Sequence, residues 1–187
     1  MKKLTNIQFK KFFHSFFTWI LISMALGCGN SQQEQKVDAQ IDFDKEKQAI
    51  MEVIKKETRT YFEKDIEGWK STYVMEPYQV RMGYWEGYKN KIQYVNGWDS
   101  LYNHKMRTIF ERETENKWDD STQEIKNLNI RIFREVAWVT FEATNFEAVT
   151  HKNLGNSLET RILEKKSGEW KIAYVGYLYY PVEKEEK

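Results

Sequence analysis

The chain has a single cysteine, two prolines and almost no surplus of either charge. Cys28 alone excludes an internal disulfide and a thiolate metal cluster. Lysine and arginine total 29 against 28 aspartates and glutamates, a formal net charge of +1. Such a balance offers no long-range field for nucleic acid, so no nucleic-acid partner is expected. Histidine is scarce too. His104 and His151 have no partner at metal-ligand spacing, and His14 falls in an amino-terminal apolar segment, so no metal is expected. A glycine-rich phosphate loop and a nucleophile elbow are both lacking, which leaves nucleotide and serine-hydrolase chemistry unsupported and no cofactor implied.

What is abundant is aromatic: 16% of the 187 residues, seven of them Trp. With so few prolines, this suits a strand-rich domain with a large apolar interior. The length fits one domain plus a targeting segment. Lys2, Lys3, Lys10 and Lys11 make a positive start, followed by an apolar run from Phe12 to Gly27. That run falls short of the ~20 apolar residues of a comfortable bilayer crossing, which favours a cleaved signal over 1–27 rather than a permanent span. Ala25-Leu26-Gly27-Cys28 resembles a bacterial lipobox, although a stricter one carries Leu where Ala25 stands. Cys28 is therefore the expected lipidation site. The polar stretch beginning Gly29-Asn30-Ser31-Gln32 has the composition of a flexible tether, expected over 28–43. The expected setting is a bacterial cell envelope, with the folded part outside the cytoplasm and anchored through Cys28.

Ile50, Val53, Ile54, Tyr61, Phe62 and Ile66 recur at helical spacing, predicting an amphipathic helix over 44–66. Trp69, Thr72, Tyr73 and Met75 extend it into a short second helix stopped by Pro77. Residues 78–88 predict a strand or strand pair, and Asn96-Gly97-Trp98-Asp99 opens a third helix running to about Arg112. The charged stretch 113–121 is expected to be a loop. Long strands are predicted over 124–134, 136–148, 157–166 and 169–180. Asn153-Leu154-Gly155-Asn156 and Ser167-Gly168 are their hairpin turns, so these strands should pair antiparallel. The class is α+β, with helices on one face of a curled sheet and a cavity between them. The folded domain is expected over 44–182, followed by a charged tail at 183–187.

The run from Glu159-Thr160-Arg161-Ile162 through Lys165-Lys166-Ser167-Gly168 to Glu169-Trp170-Lys171 resembles the SnoaL-like branch of the nuclear transport factor 2-like cones, which includes the calcium/calmodulin-dependent protein kinase II association domain. Val136-Ala137-Trp138-Val139-Thr140 and Lys64-Asp65-Ile66-Glu67-Gly68-Trp69 are similar to its preceding strand and its helix turn. The resemblance implies three amino-terminal helices on a strongly curved antiparallel sheet enclosing a pocket. It implies Arg161 as a pocket cation for an acidic or carbonyl-bearing ligand, Trp69 as a pocket aromatic, and a homodimer made through the outer sheet. The chain departs from the family where Tyr174-Val175-Gly176 replaces a histidine pair and where Thr140 replaces a strand arginine.

Residues with period-two spacing share a sheet face, which groups Trp138, Thr140, Glu142 and Thr144 and groups Arg161 with Leu163. Were both sets to face inward, Glu142 and Arg161 would meet. Glu142 is then either an acid or base beside a guanidinium or, the favoured alternative, half of a cross-strand ion pair that sets register. The expected ligand-binding set is Trp69, Tyr73, Trp85, Trp138, Thr140, Arg161 and Tyr174, with Glu142 the catalytic candidate. The leading expectation is a lipid-anchored protein binding a small, partly apolar and acidic ligand without chemistry. The alternatives are an isomerase, hydratase or hydrolase using a pocket Glu or Tyr, and a dimeric assembly module.

Overall fold

The computed structural model describes residues 42–85, 91–112 and 118–180. The targeting segment 1–27 with Cys28, nearly all of the tether 28–43, Gly87, Tyr88 and the tail 183–187 lie outside the described residues. Asp42 caps the first helix, α1 (Phe43–Phe62), its side chain accepting from the Lys45 N–H at 3.2 Å, with Asp44 and Glu46 in the first turn. Ile50 and Ile54 turn inward and are wholly buried. The helix ends four residues earlier than its apolar spacing predicts, because Lys64 adopts a left-handed backbone at φ 59°. Asp65 then caps α2 (Ile66–Lys70), accepting from the Gly68 N–H at 2.9 Å. Gly68 is required here, since a Cβ would lie 2.1 Å from the Asp65 carboxylate oxygen. The 78–88 region yields β1 (Val80–Tyr84), followed by β2 (Ile92–Asn96). After them α3 (Trp98–Lys105) continues into a π-helical turn, Met106–Phe110.

The carboxy-terminal half supplies β3 (Thr122–Phe133), β4 (Val136–Phe146), β5 (Asn153–Lys166) and β6 (Glu169–Tyr180). With β1 and β2 they form a six-stranded sheet in the order β2-β1-β6-β5-β4-β3. Ser167 (φ 52°) and Gly168 (φ 86°) close the β5–β6 hairpin as their residue types demand. Two sequence expectations are corrected. Asn153-Leu154-Gly155-Asn156 opens β5 rather than turning the chain; the reversal lies at 147–152, where the Glu147 N–H donates to the Lys152 carbonyl. The sheet is mixed rather than wholly antiparallel, since β1 runs parallel to β6. Hairpin turns announce only antiparallel neighbours, and this pairing joins segments far apart in the chain. The third helix also follows two strands instead of completing an amino-terminal trio. No helix among the described residues is long and apolar enough to cross a membrane.

Strand β4 decides which face is inward. Ala137, Val139, Phe141, Ala143 and Asn145 are buried, whereas Trp138 is 43% exposed and Thr140, Glu142 and Thr144 are half-buried. The inward phase is thus the one without Trp138, opposite to that expected, because the small and branched residues rather than the large aromatic fill the space under the helices. Arg161 pairs with Val139 and Glu142 with Leu158. Directly paired residues share a face. Arg161 and Glu142 are therefore on opposite faces and form no pair.

Candidate functional site

On the inner face the pairings align side chains in transverse rows. One runs Val139, Arg161, Val175, Arg81, Val95; the next runs Phe141, Glu159, Tyr177, Gly83, Gln93. Over them lie α1, with Glu57, Thr58, Tyr61 and Phe62, and the end of α3 and its π-turn, with Lys105, Thr108, Ile109 and Arg112. Between sheet and helices is a cavity of about 400 Å³, whose walls also include Trp85, Trp118 and Tyr179. Gly83 gives Tyr177 its place: a Cβ there would lie 2.2 Å from the Tyr177 carbonyl oxygen and 2.7 Å from its ring.

Arg161 is 4% exposed and is occupied by two carboxylates. Its Nη1 donates to Glu159 at 2.7 Å, and its Nη2 lies 3.7 Å from Glu57. The other oxygen of Glu159 accepts from the Ser157 hydroxyl at 2.6 Å, and that of Glu57 from the Tyr73 hydroxyl at 2.6 Å. Burial opposes the Arg161 charge, but Glu159 and then Glu57 outweigh it and raise its pKa above the usual value. Burial, then the Glu57 carboxylate, pushes the Tyr73 phenol well above its ordinary range. The two carboxylates thus answer the Arg161 charge through its Nη atoms, while its buried Nε has no hydrogen-bond partner.

Two other cations are different. Arg81 lies in the same row as Arg161, two strands and so roughly 10 Å away. Its guanidinium sits 4.8 Å over the Tyr177 ring, and its buried Nε has no hydrogen-bond partner. Burial works against its charge, yet the nearby phenols of Tyr73 and Tyr177 and the Glu57 carboxylate raise its pKa. Lys105 is 3% exposed, with Nζ 3.4 Å from the Tyr61 hydroxyl and 4.8 Å from the centroid of that ring. Burial, followed by repulsion from Arg81, holds its amine well below the usual lysine range. Neither Arg81 nor Lys105 forms an ion pair with a carboxylate among the described residues.

Uncharged polar groups continue the lining. Thr58 donates to Gln123 at 3.3 Å, Gln123 to Asn145 at 3.1 Å, and Asn145 to the Tyr179 hydroxyl at 2.8 Å. Tyr177 donates to Gln93 Oε1 at 2.6 Å, and Gln93 Nε2 lies 2.7 Å from His104 Nε2. Burial, then the Lys105 charge, lowers the His104 pKa to about 4, so a neutral ring accepts that bond. At the margin Asp119 binds Arg112 at 2.6 Å and Lys64 at 3.0 Å. No His, Cys, Asp and Glu cluster among the described residues is arranged to hold a metal ion.

Of the residues expected from the sequence, Arg161 and Trp85 line this cavity. Tyr73 stands behind it, supporting Glu57 through its hydroxyl. Trp69 is wholly buried and packs with Tyr73 at 4.9 Å, Trp98 at 5.7 Å and Phe110 at 5.2 Å, a core position outside the lining. Trp138, Thr140 and Glu142 share the outer face of β4, and Tyr174 joins them there on β6, paired with Ile162. The period-two grouping holds on β4, and the set that faces inward is that of Ala137, Val139 and Phe141. Glu159 carried a usable signal: two residues before Arg161, it had to share its face. Lys105 carried another, lying four residues after Leu101 and four before Ile109 on the inward stripe of a helix. Arg81, Gln93, Trp118, Tyr177 and Tyr179 had no such local marker.

A search of curated proteins finds no match. Solved structures share the architecture at low identity. A protein of unknown function with a cystatin-like fold from Nostoc punctiforme is 16% identical, with a TM-score of 0.57 over 72% of this chain and 91% of its own. An NTF2-like protein of unknown function from Pseudomonas putida is 13% identical, with a TM-score of 0.57 over 76% and 91%. The association domain of C. elegans CaMKII is 19% identical, with a TM-score of 0.54 over 72% and 95%. These likenesses establish the NTF2-like α+β fold. Residues 82–177, half of the chain, match the SnoaL-like domain model, from β1 through Tyr177. The chain belongs to the SnoaL-like domain family.

Proposed function

We propose that this is a lipid-anchored cell-envelope protein whose cavity binds a small, partly apolar, acidic ligand. The observation that carries the reading is Arg81, a half-buried guanidinium that forms no ion pair with a carboxylate among the described residues, with the buried Lys105 amine in the same lining, set among Trp85, Trp118, Tyr61 and Tyr179. A basic group held out of bulk water without an anion favours a ligand that brings one. The aromatic walls favour an apolar body behind the acidic head. Arg161, expected to meet the ligand, has its charge answered by Glu57 and Glu159, so Arg81 takes that role.

Tryptophan fluorescence titration with aryl and alkyl carboxylates tests the reading, since Trp85 and Trp118 line the cavity. Saturable quenching by acids, absent with the matching alcohols and weakened about tenfold by Arg81→Gln, is expected. Equal response to acids and alcohols would sink it. The anchored setting rests on the lipobox resemblance at Cys28: fatty-acid labelling should be lost in Cys28→Ser, and persistence of the label would remove Cys28 as the anchor.

A second reading is hydrolytic or isomerising chemistry. It is favoured by Glu57 and Glu159, two carboxylates flanking one guanidinium in the cavity wall. Under it Glu57→Gln abolishes turnover of an epoxide or carbonyl substrate while the fold is kept. The outer sheet face, with Trp138, Leu158, Leu178 and Met82 each more than 40% exposed, supports self-association in either case.

A further inference from the structure

A buried lysine in a ligand cavity normally announces a salt bridge, and Lys105 makes none among the described residues. It sits on the inward stripe of α3 beside Leu101, is nine-tenths and more removed from water, and its amine meets the Tyr61 hydroxyl and ring face. The charged and titratable groups around it are Arg81 from β1, Glu57 and Tyr61 from α1, and His104 from its own helix. Arg81, the nearest fixed positive charge, disfavours a second cation at its side, and the surrounding burial acts in the same direction. The amine therefore reaches its uncharged form more readily than that of an exposed lysine. In that form it contributes little to a carboxylate that the Arg81 fork binds by itself, but it is a nucleophile.

We propose that Lys105 captures a carbonyl: its amine condenses with the aldehyde or ketone of an oxo-acid whose carboxylate is held by Arg81. The proposal deepens the acid-binding reading of the same cavity and rests on it. The Nζ lone pair forms the C–N bond as the carbonyl π electrons move to oxygen. Both nitrogen protons leave with that oxygen as water, and the product is an imine, with no oxidant or reductant required. The Tyr61 hydroxyl, 3.4 Å from Nζ, is placed to pass a proton between nitrogen and the departing oxygen. Trp85, Trp118 and Tyr179 flank an aryl or other flat apolar body. The π-helical turn that begins at Met106 immediately after Lys105 supplies Ile109 and Thr108 to the same lining, a local widening of the helix of the kind that recurs at functional sites.

The test uses the full-length protein with 3- and 4-formylbenzoate, sodium cyanoborohydride at neutral pH to trap the imine as a secondary amine, and peptide mass mapping. The peptide bearing Lys105 should be modified at probe concentrations that leave exposed lysines untouched. Arg81→Gln should lower that labelling about tenfold, the loss of one charge-assisted contact, and benzaldehyde, which lacks the carboxylate, should show no such dependence. Lys105→Met should remove the adduct. The non-reactive 3- and 4-(hydroxymethyl)benzoates, followed by tryptophan fluorescence, separate the two levels of the argument. If they bind while Lys105 is trapped no faster than surface lysines, carbonyl capture is overturned and the acid site stands. If neither alcohol nor aldehyde perturbs the fluorescence and no Lys105 adduct forms, both readings fall together.

Discussion

Replacing Arg161 by methionine should cost the domain far more stability than the same change at Arg81. Arg161 is sandwiched between carboxylates whose side chains are 6% and 9% exposed. Removing the guanidinium leaves Glu57 and Glu159 buried together without a cation, and breaking a buried ion network from one side costs about 3–5 kcal/mol. The methionine recovers some apolar contact with Phe141, over whose ring the guanidinium lies at 5.5 Å, which moves the expectation to the lower half of that range. At about 3–5 °C per kcal/mol for a domain of this size, the melting temperature should fall by roughly 9–20 °C. Chemical denaturation followed by far-ultraviolet circular dichroism measures the loss directly. The double variant Arg161→Met with Glu159→Gln should recover at least about 1 kcal/mol relative to additivity, because the stranded charge is gone. Arg81 faces the cavity without a carboxylate in contact, so Arg81→Met should cost no more than about 1–2 kcal/mol, the ordinary effect of one substitution. Equal losses at the two arginines, or strict additivity in the cycle, would refute the assignment of Arg161 to structure and Arg81 to ligand.

Lys105 makes stability depend on pH in a direction opposite to that of a salt-bridged lysine. Its folded affinity for a proton lies well below that of a lysine in an open chain, so the unfolded state holds more protons between the two values. Stability therefore climbs with pH through that window, by up to about 1.4 kcal/mol per unit, and Lys105→Met should flatten denaturation midpoints measured from pH 7 to 9.5, below the range where the buried tyrosines ionise. His104 has the same sign at lower pH: its value of about 4 lies under that of a free histidine, so its contribution is lost as the solution is acidified toward pH 4, and His104→Gln should reduce that acid sensitivity. Gly83→Ala should displace Tyr177 and weaken the β1–β6 pairing, lowering stability by about 1–3 kcal/mol and also perturbing ligand quenching of Trp85. Trp138→Lys, on the outer face, should leave the cavity intact and reduce self-association measured by sedimentation, and an unchanged sedimentation profile in an associating protein would exclude that face.

How far the sequence disclosed this molecule depends on whether the signal was local. Ser167-Gly168 named its hairpin, and the apolar spacing from Ile50 to Phe62 named its helix, because turn chemistry and helical period are settled within a few residues. The α+β class followed from those pieces. The parallel β1–β6 contact did not, being a choice between distant segments. Nor did the inward phase of β4: both phases carry apolar residues, and only packing under α1 and α3 shows that Ala137, Val139 and Phe141 fit where Trp138 does not. That single phase decides the site. It moves Glu142, Thr140 and Trp138 out of the cavity and leaves Glu57 and Glu159 as the carboxylates beside Arg161. Arg81 and Tyr177 enter through the parallel pairing, so the residues with the clearest ligand chemistry are those whose placement no short stretch could reveal.

The two arginines of one transverse row show why a conspicuous buried cation is a poor guide to a binding site. Arg161 is the more buried and has the richer set of partners, and for that reason it has little left to offer a ligand: its charge is balanced, and its removal would be felt as instability. Arg81 shares with Arg161 a ring face beneath the guanidinium and an unpartnered Nε, and differs in having no carboxylate ion pair among the described residues. A guanidinium so placed has its charge-assisted contacts left for an arriving anion. Lys105 answers its burial with an amine that gives up its proton more readily than usual, which a guanidinium cannot do. One cavity thus holds a fixed positive charge and an easily deprotonated amine side by side, and these are different demands on a ligand: an acid for the first, an electrophilic carbon for the second. A ligand meeting both would bind more tightly to the protein with Lys105 deprotonated, so its affinity should rise with pH, whereas that of a simple carboxylate drawn to two cations should fall. Titrating formylbenzoate and hydroxymethylbenzoate at pH 6 and pH 8 reads that difference in sign.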